Sequence, residues 1–302
     1  MSKLQPVKKE EPSRLTTEGA HGALPGFEDF FREVFETYKQ TVGTLLGLVL
    51  VSSAISIIIV IFGIVAVTGT GLWEHVVSSG APLIGVALIF LFLILSGFAV
   101  LMAWVQVVFG LAAISVIVAR REGKIITMSA SLGTATKKGW TYLVASALVT
   151  LMALGGLIWG VIPGIWLGIS FSLVVAVIAI ENRKGFDAVL RSFDLVRGSW
   201  WYVAIRFLLV GIFLGVVSLI PLIGGIISFV LGPIATVTTV LLYFRLSARG
   251  TPPIPTTPDR KLQFGLFALP LLLLFALLFL PLIRNNINMG IQKILTEFHE
   301  KR

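Results

Sequence analysis

Long apolar runs separated by short charged segments set the pattern of this chain. Residues 139–180 carry no charge, and the turn signal Ile162-Pro163-Gly164 parts them into two predicted spans, 140–157 and 164–180. Similar runs predict spans over 43–67, 200–220, 224–244 and 262–283. Residues 76–119 are also free of charge, and as a helix they would reach about 65 Å, roughly twice the ~30 Å hydrocarbon core. Such a run is one long helix or a hairpin bent near Gly97 or Gly110. A hairpin would put Arg120, Arg121, Lys124, Lys137 and Lys138 on the same side as the preceding loop, which has no Lys or Arg. The pattern therefore predicts one span over 82–106, extended to 119. The fold class that follows is an all-α polytopic transmembrane bundle of about seven spans.

Helical periodicity marks shorter segments as interfacial. In 27–41, FEDFFREVFETYKQT, the residues Phe27, Phe30, Phe31, Val34, Phe35 and Tyr38 form one stripe, and the charges take the other face. Such a helix is expected in the headgroup plane. In 186–198, Phe186, Val189, Leu190, Phe193 and Val196 form the apolar stripe. Asp187, Arg191 and Asp194 lie opposite, spaced for local ion pairs above a solvated face. A third interfacial helix is placed at 125–138. Residues 1–26 read as a disordered cytoplasmic tail, 251–261 as a proline-rich linker, and 284–302 as a tail with a short amphipathic helix. The first apolar stretch begins only near Val42 and is long enough to span, so it is expected to be retained rather than cleaved as a signal.

Composition agrees with this map. The chain is 56% hydrophobic and 13% charged, about half the charge typical of a soluble domain. Without cysteine there is no disulfide, thiol nucleophile or thiolate metal site. The net charge of +9 would fit nucleic acid, but the basic residues sit beside apolar spans, where the positive-inside bias accounts for them. With the N-terminus inside the cell membrane, most of the 24 basic residues fall on the cytoplasmic side and the three external loops hold none. The C-terminal tail is then external. It holds Arg284, Lys293, Lys301 and Arg302, which strain the rule, and the tail is inside if the last span does not cross.

Lys138-Gly139-Trp140-Thr141-Tyr142-Leu143-Val144 is echoed by Gly198-Ser199-Trp200-Trp201-Tyr202-Val203-Ala204. Each hairpin also leaves through charge and glycine, at Arg121-Glu122-Gly123, Arg183-Lys184-Gly185 and Arg249-Gly250. Three parallel units of helix plus hairpin are expected, with the last span added. At these residues a resemblance appears. Ile162-Pro163-Gly164-Ile165, Glu181-Asn182, Ala188, Arg191-Ser192, Leu195-Val196, Gly198 and Trp200 resemble a broad prokaryotic family of multipass proteins. That family includes the membrane domain fused to some glycerophosphoryl diester phosphodiesterases and many uncharacterised stand-alone relatives. The resemblance covers about 27–250. It implies architecture and not activity, since no polar segment here is long enough to be the catalytic barrel of the fused enzymes.

Candidate chemistry is sparse. His21, His75 and His299 share no metal-site spacing, and no phosphate loop or nucleophile elbow is present. No cofactor is expected. Arg206 lies early in span 200–220; it either snorkels to headgroups or pairs with Glu181, binding a phospholipid headgroup or locking two units together. Arg191 and Arg197 are candidates for contact with anionic lipid phosphates or a partner. An embedded lipid enzyme would need Glu181, Asn182, Asp187 and Arg191 around one cleft together with a nucleophile, and none is visible. The reading favoured is a non-enzymatic membrane protein that organises or senses the bilayer, a membrane-protein partner or a second copy. The alternative is a lipid or small-solute transporter, drawn from the breaks at Pro163, Pro221 and Pro233.

Overall fold

The computed structural model describes residues 26–69, 81–221, 223–250 and 257–274, with a few isolated positions besides. Residues 1–25 of the expected tail 1–26, the loop with His75, most of 275–283 and, but for isolated positions, the C-terminal tail with His299 lie outside the described residues. So do the side chains of 81–90.

Among the described residues these α-helices follow one another: α1 (Phe27–Gly69), α2 (Ala81–Arg121), α3 (Met128–Trp159), α4 (Val161–Ser170), α5 (Val174–Glu181), α6 (Gly185–Val196), α7 (Trp200–Ser218), α8 (Gly224–Leu231), α9 (Pro233–Ser247) and α10 (Pro258–Gly265). A 3-10 turn, Leu266–Ala268, follows α10, and the chain is helical again over 269–274. Among the described residues six helical stretches are long and apolar enough to cross a membrane: Phe27–Thr68, Leu91–Arg121, Met128–Trp159, Val161–Glu181, Trp200–Ser218 and Gly224–Ser247. They make this a multipass membrane protein.

The elements differ from the sequence map in ways that local physics explains. Segments 27–41 and 43–67 are not two helices but one, since nothing between them breaks the backbone ladder. The stripe of 27–41 continues inward as Phe30, Val34, Tyr38, Thr41, Leu45 and Leu48, all buried. Tyr38 Oη donates to the Val230 carbonyl at 2.7 Å, so this face packs on protein and not on headgroups. α2 is a single helix, as charge required, and stops in a Schellman cap. Gly123 at φ 73 donates to Arg120 O at 3.0 Å, and Lys124 N reaches Ala119 O at 2.8 Å. Segment 125–138 is likewise no separate interfacial helix. Thr127 caps α3, accepting from Ala130 N, and α3 then runs unbroken to Trp159.

The turn between α3 and α4 sits at Gly160, not at 162–164. Pro163 lies inside the first turn of α4, where its missing N–H costs nothing. A Cβ on Gly164 would lie 2.8 Å from Leu157 N, and one on Gly156 would lie 3.2 Å from Gly164 Cα. The two backbones therefore meet closely only because both positions are glycine. α4 and α5 are one predicted span broken at 171–173. Gly232 and Pro233 separate α8 from α9 in the same way, with Pro233 at the start of α9.

Candidate functional site: a ring of internal ion pairs around α6

α5 ends at Glu181, where Asn182 adopts the left-handed conformation at φ 56 and turns the chain toward α6. No residue of α6 is exposed, and eight of its twelve are buried. The expected solvated face of 186–198 is therefore corrected: other parts of the chain cover the polar side as well as the apolar one. At Arg191 and Asp194 ion pairing has taken the place of water, while the Asp187 side chain stays about half exposed.

Glu181 is the hub. Its carboxylate accepts from Arg191 Nε at 3.1 and 3.3 Å, from Arg183 Nε at 2.7 Å and from Tyr243 Oη of α9 at 3.0 Å. One turn on, Asp194 takes both guanidinium nitrogens of Arg260 from α10, and Lys261 stands 3.5 Å from Asp187. The expected local pairing along α6 is thus replaced by partners from α5 and α10. Planar carboxylates and guanidinium groups meet in pairs here, the arrangement that best offsets loss of water.

Ser192 does different work. Its hydroxyl accepts from Leu173 N at 3.2 Å and donates to Ser170 O at 2.9 Å. These are backbone groups freed where α4 gives way to α5. Inside hydrocarbon a break of this kind persists only when another group satisfies it. One buried hydroxyl does so from the neighbouring helix.

α10 lies over this arrangement as a strap. Phe264 packs edge-on against Phe193 at 4.7 Å, and the Phe267 carbonyl seats against Gly155 of α3, where any side chain would collide. Residues 262–268, expected to open the last span, instead belong to the strap and the turn after it. Beyond that turn the chain is helical again over 269–274 and at 276, 277 and 280, and among the described residues no stretch of the predicted span 262–283 is long and apolar enough to cross.

The four sequence-predicted residues separate into three places. Glu181 and Arg191 come together. Arg206 does not join Glu181: it lies 3.2 Å over the Tyr202 ring and 4.8 and 4.9 Å from the rings of Phe27 and Phe30, and it donates to Tyr202 O. It ties the start of α7 to the start of α1. Arg197 is exposed, beside Gly198 at φ 81. A second cluster went unforeseen. Glu33 of α1 receives Arg245 of α9 at 2.5 Å and Arg121 of α2 at 3.5 Å. In sequence these are only scattered terminal charges; Glu33 and Arg245 stand 212 residues apart. Outside the spans, the hydrogen bond to Glu122 holds Lys124 above the ordinary lysine range.

Among the described residues no group of His, Asp and Glu is placed to hold a metal ion. Comparison with known proteins finds no matching family, no matching curated protein and no matching solved structure.

Proposed function

We propose that this protein is a non-enzymatic component of the cell membrane that organises or senses the bilayer, or holds a membrane-protein partner or a second copy of itself. The observation that carries this reading is the mutual use of the inward charges. Glu181, Arg191, Asp194 and Arg260 are bonded to one another, to Arg183 or to Tyr243, and they brace helices rather than line a cleft. A catalytic carboxylate or an ion-coupling residue needs access to substrate or water, and these groups spend their hydrogen bonds on structure.

The membrane topology proposed with it has a cytoplasmic N-terminus, basic segments inside, a seventh span over 262–283 and an external C-terminus. The kinship proposed is with the stand-alone relatives of the phosphodiesterase-linked membrane domain, in three parallel units of helix plus hairpin. The separate helical hairpins α1–α2 and α3–α5, and the return of α7 through α8 and α9, support that plan. A second reading, a lipid or small-solute transporter, draws on the two broken spans at 171–173 and at Gly232.

Reconstitution in sealed vesicles decides between them. The favoured reading predicts proton, ion and lipid-transfer rates equal to those of empty vesicles. It also predicts a lipid or protein that stays bound through purification in a lipid-retaining polymer. Protein-dependent flux would establish the transporter reading instead.

A further inference from the structure

An open groove runs between α4 and the first turn of α7. It holds about 380 Å³ and is walled by Ile162, Ile165, Trp166, Trp200 and Trp201. All five side chains are apolar or aromatic, and Ile162 and Trp201 are 82% and 73% exposed. The backbone forms it deliberately: Trp200 Nε1 donates to the Trp166 carbonyl at 3.2 Å, fixing one indole against α4. Trp200 and Trp201 also wall a second hollow of about 340 Å³, with Gly198, Ser199, Tyr202 and Arg249 as its other sides. The two hollows lie side by side with both tryptophans as shared walls; the first is lined by apolar side chains alone, and Arg249 stands at the second.

The cationic side sets this place apart from the braced charges elsewhere. Arg249 is exposed and bonds to the Ser199 hydroxyl, a neutral partner. Arg197, two residues before Ser199, is exposed as well. Among the described residues neither guanidinium forms an ion pair with a carboxylate, in contrast to Arg121, Arg183, Arg191, Arg245 and Arg260. Arg249 walls the second hollow and Arg197 directly precedes its wall residue Gly198; guanidinium groups without carboxylates beside an aromatic groove in a membrane protein match a ligand with an anionic phosphate and a long apolar tail. Tryptophan suits the boundary between them, because its ring is apolar and its N–H is polar.

We propose that the two adjoining hollows are a specific seat for one anionic phospholipid, with its phosphate at Arg249 and Arg197 and one acyl chain along Ile162, Ile165, Trp166 and Trp201. The seat deepens the reading of a bilayer-organising protein and rests on it. A soluble anion lacks the tail that the groove is shaped for. A second copy of the chain would bring no phosphate to the arginines.

Native mass spectrometry of the full chain, from nanodiscs holding equal phosphatidylglycerol and phosphatidylcholine, tests the seat. The wild type is expected to retain one phosphatidylglycerol, favoured over phosphatidylcholine by about tenfold or more. Arg197→Gln with Arg249→Gln should remove the preference, and Ile165→Trp should remove retention by filling the groove. Arg120→Gln removes an exposed charge at the end of α2 and should retain the lipid, which separates charge at the seat from charge in general. Unfolding temperatures in pure phosphatidylcholine should be alike for all four proteins, and phosphatidylglycerol should raise them only for the wild type and Arg120→Gln. Equal retention of the two lipids, unchanged retention in the double arginine variant, or a dimer that Ile165→Trp dissociates would overturn the seat. Loss of the lipid preference without vesicle flux defeats the seat alone, whereas flux with the preference intact defeats the function proposed above.

Discussion

At Ser192 a single hydroxyl closes two open backbone valences. Alanine there would leave Leu173 N and Ser170 O without that partner, and a buried group left unsatisfied costs about 1–3 kcal/mol. Ser192→Ala is therefore expected to lower unfolding free energy by about that amount in a detergent titration. A change within error would show that the break at 171–173 is satisfied some other way. Glu181 supports a sharper test. Arg191 is buried and its Nε lies 3.1 Å from the Glu181 carboxylate, so Glu181→Gln takes away the opposite charge of a buried pair and should cost about 3–5 kcal/mol. Replacing the pair together by Leu and Met should cost clearly less than the two single changes summed, because both charges leave the interior at once. Additive losses would mean that the two side chains act independently.

At the scale of the helix, the strap formed by α10 is held by Asp194 at one end and Gly155 at the other. Asp194→Asn or Gly155→Val should speed backbone hydrogen exchange across 258–268 while leaving α3 slow. Uniform acceleration across the bundle would indicate general destabilisation instead. The apolar runs and glycine stops made most helices legible: α2 ends where charge and Gly123 require, and α7 begins at Trp200 as the pattern places it. Two things were not legible. Periodicity reports that a helix has two unlike faces but not what covers each, so α6 looked interfacial although Glu181 and Arg260 pair with the charges of its polar face. Hydropathy also cannot separate an amphipathic entry helix from the span that follows it, since nothing breaks the ladder between Thr41 and Gly43 in α1. Of the candidate site, Glu181 and Arg191 were legible as charges flanking a span. Their true partners were not, because the residues that meet them lie far along the chain or within an apparently apolar helix.

Considered whole, the molecule turns its apolar surface outward and its ion pairs inward. Residues such as Ile57, Ile58, Phe62 and Val65 on α1 and Phe92, Leu93 and Leu95 on α2 are exposed and need hydrocarbon around them. The unbroken helix α1 has 43 residues, about 64 Å, so it extends beyond the ~30 Å core even when tilted. Its charged first turns account for part of the excess. Internally, Glu33 joins α1, α2 and α9, while Glu181 and Asp194 join α5, α6, α9 and α10. The central claim is that α6 is the enclosed core of this assembly and not a helix lying on the membrane surface. The chain has no cysteine, so single cysteines report cleanly. Maleimide labelling of Ala188→Cys, Ser192→Cys and Leu195→Cys, beside Lys184→Cys and Arg197→Cys in the turns flanking α6, tests the claim most directly. The account predicts that the two turn positions label fast in the folded protein and that the three helix positions label only after denaturation. Fast labelling at Ser192→Cys, equal to that at Lys184→Cys and in protein of undiminished stability, would contradict it.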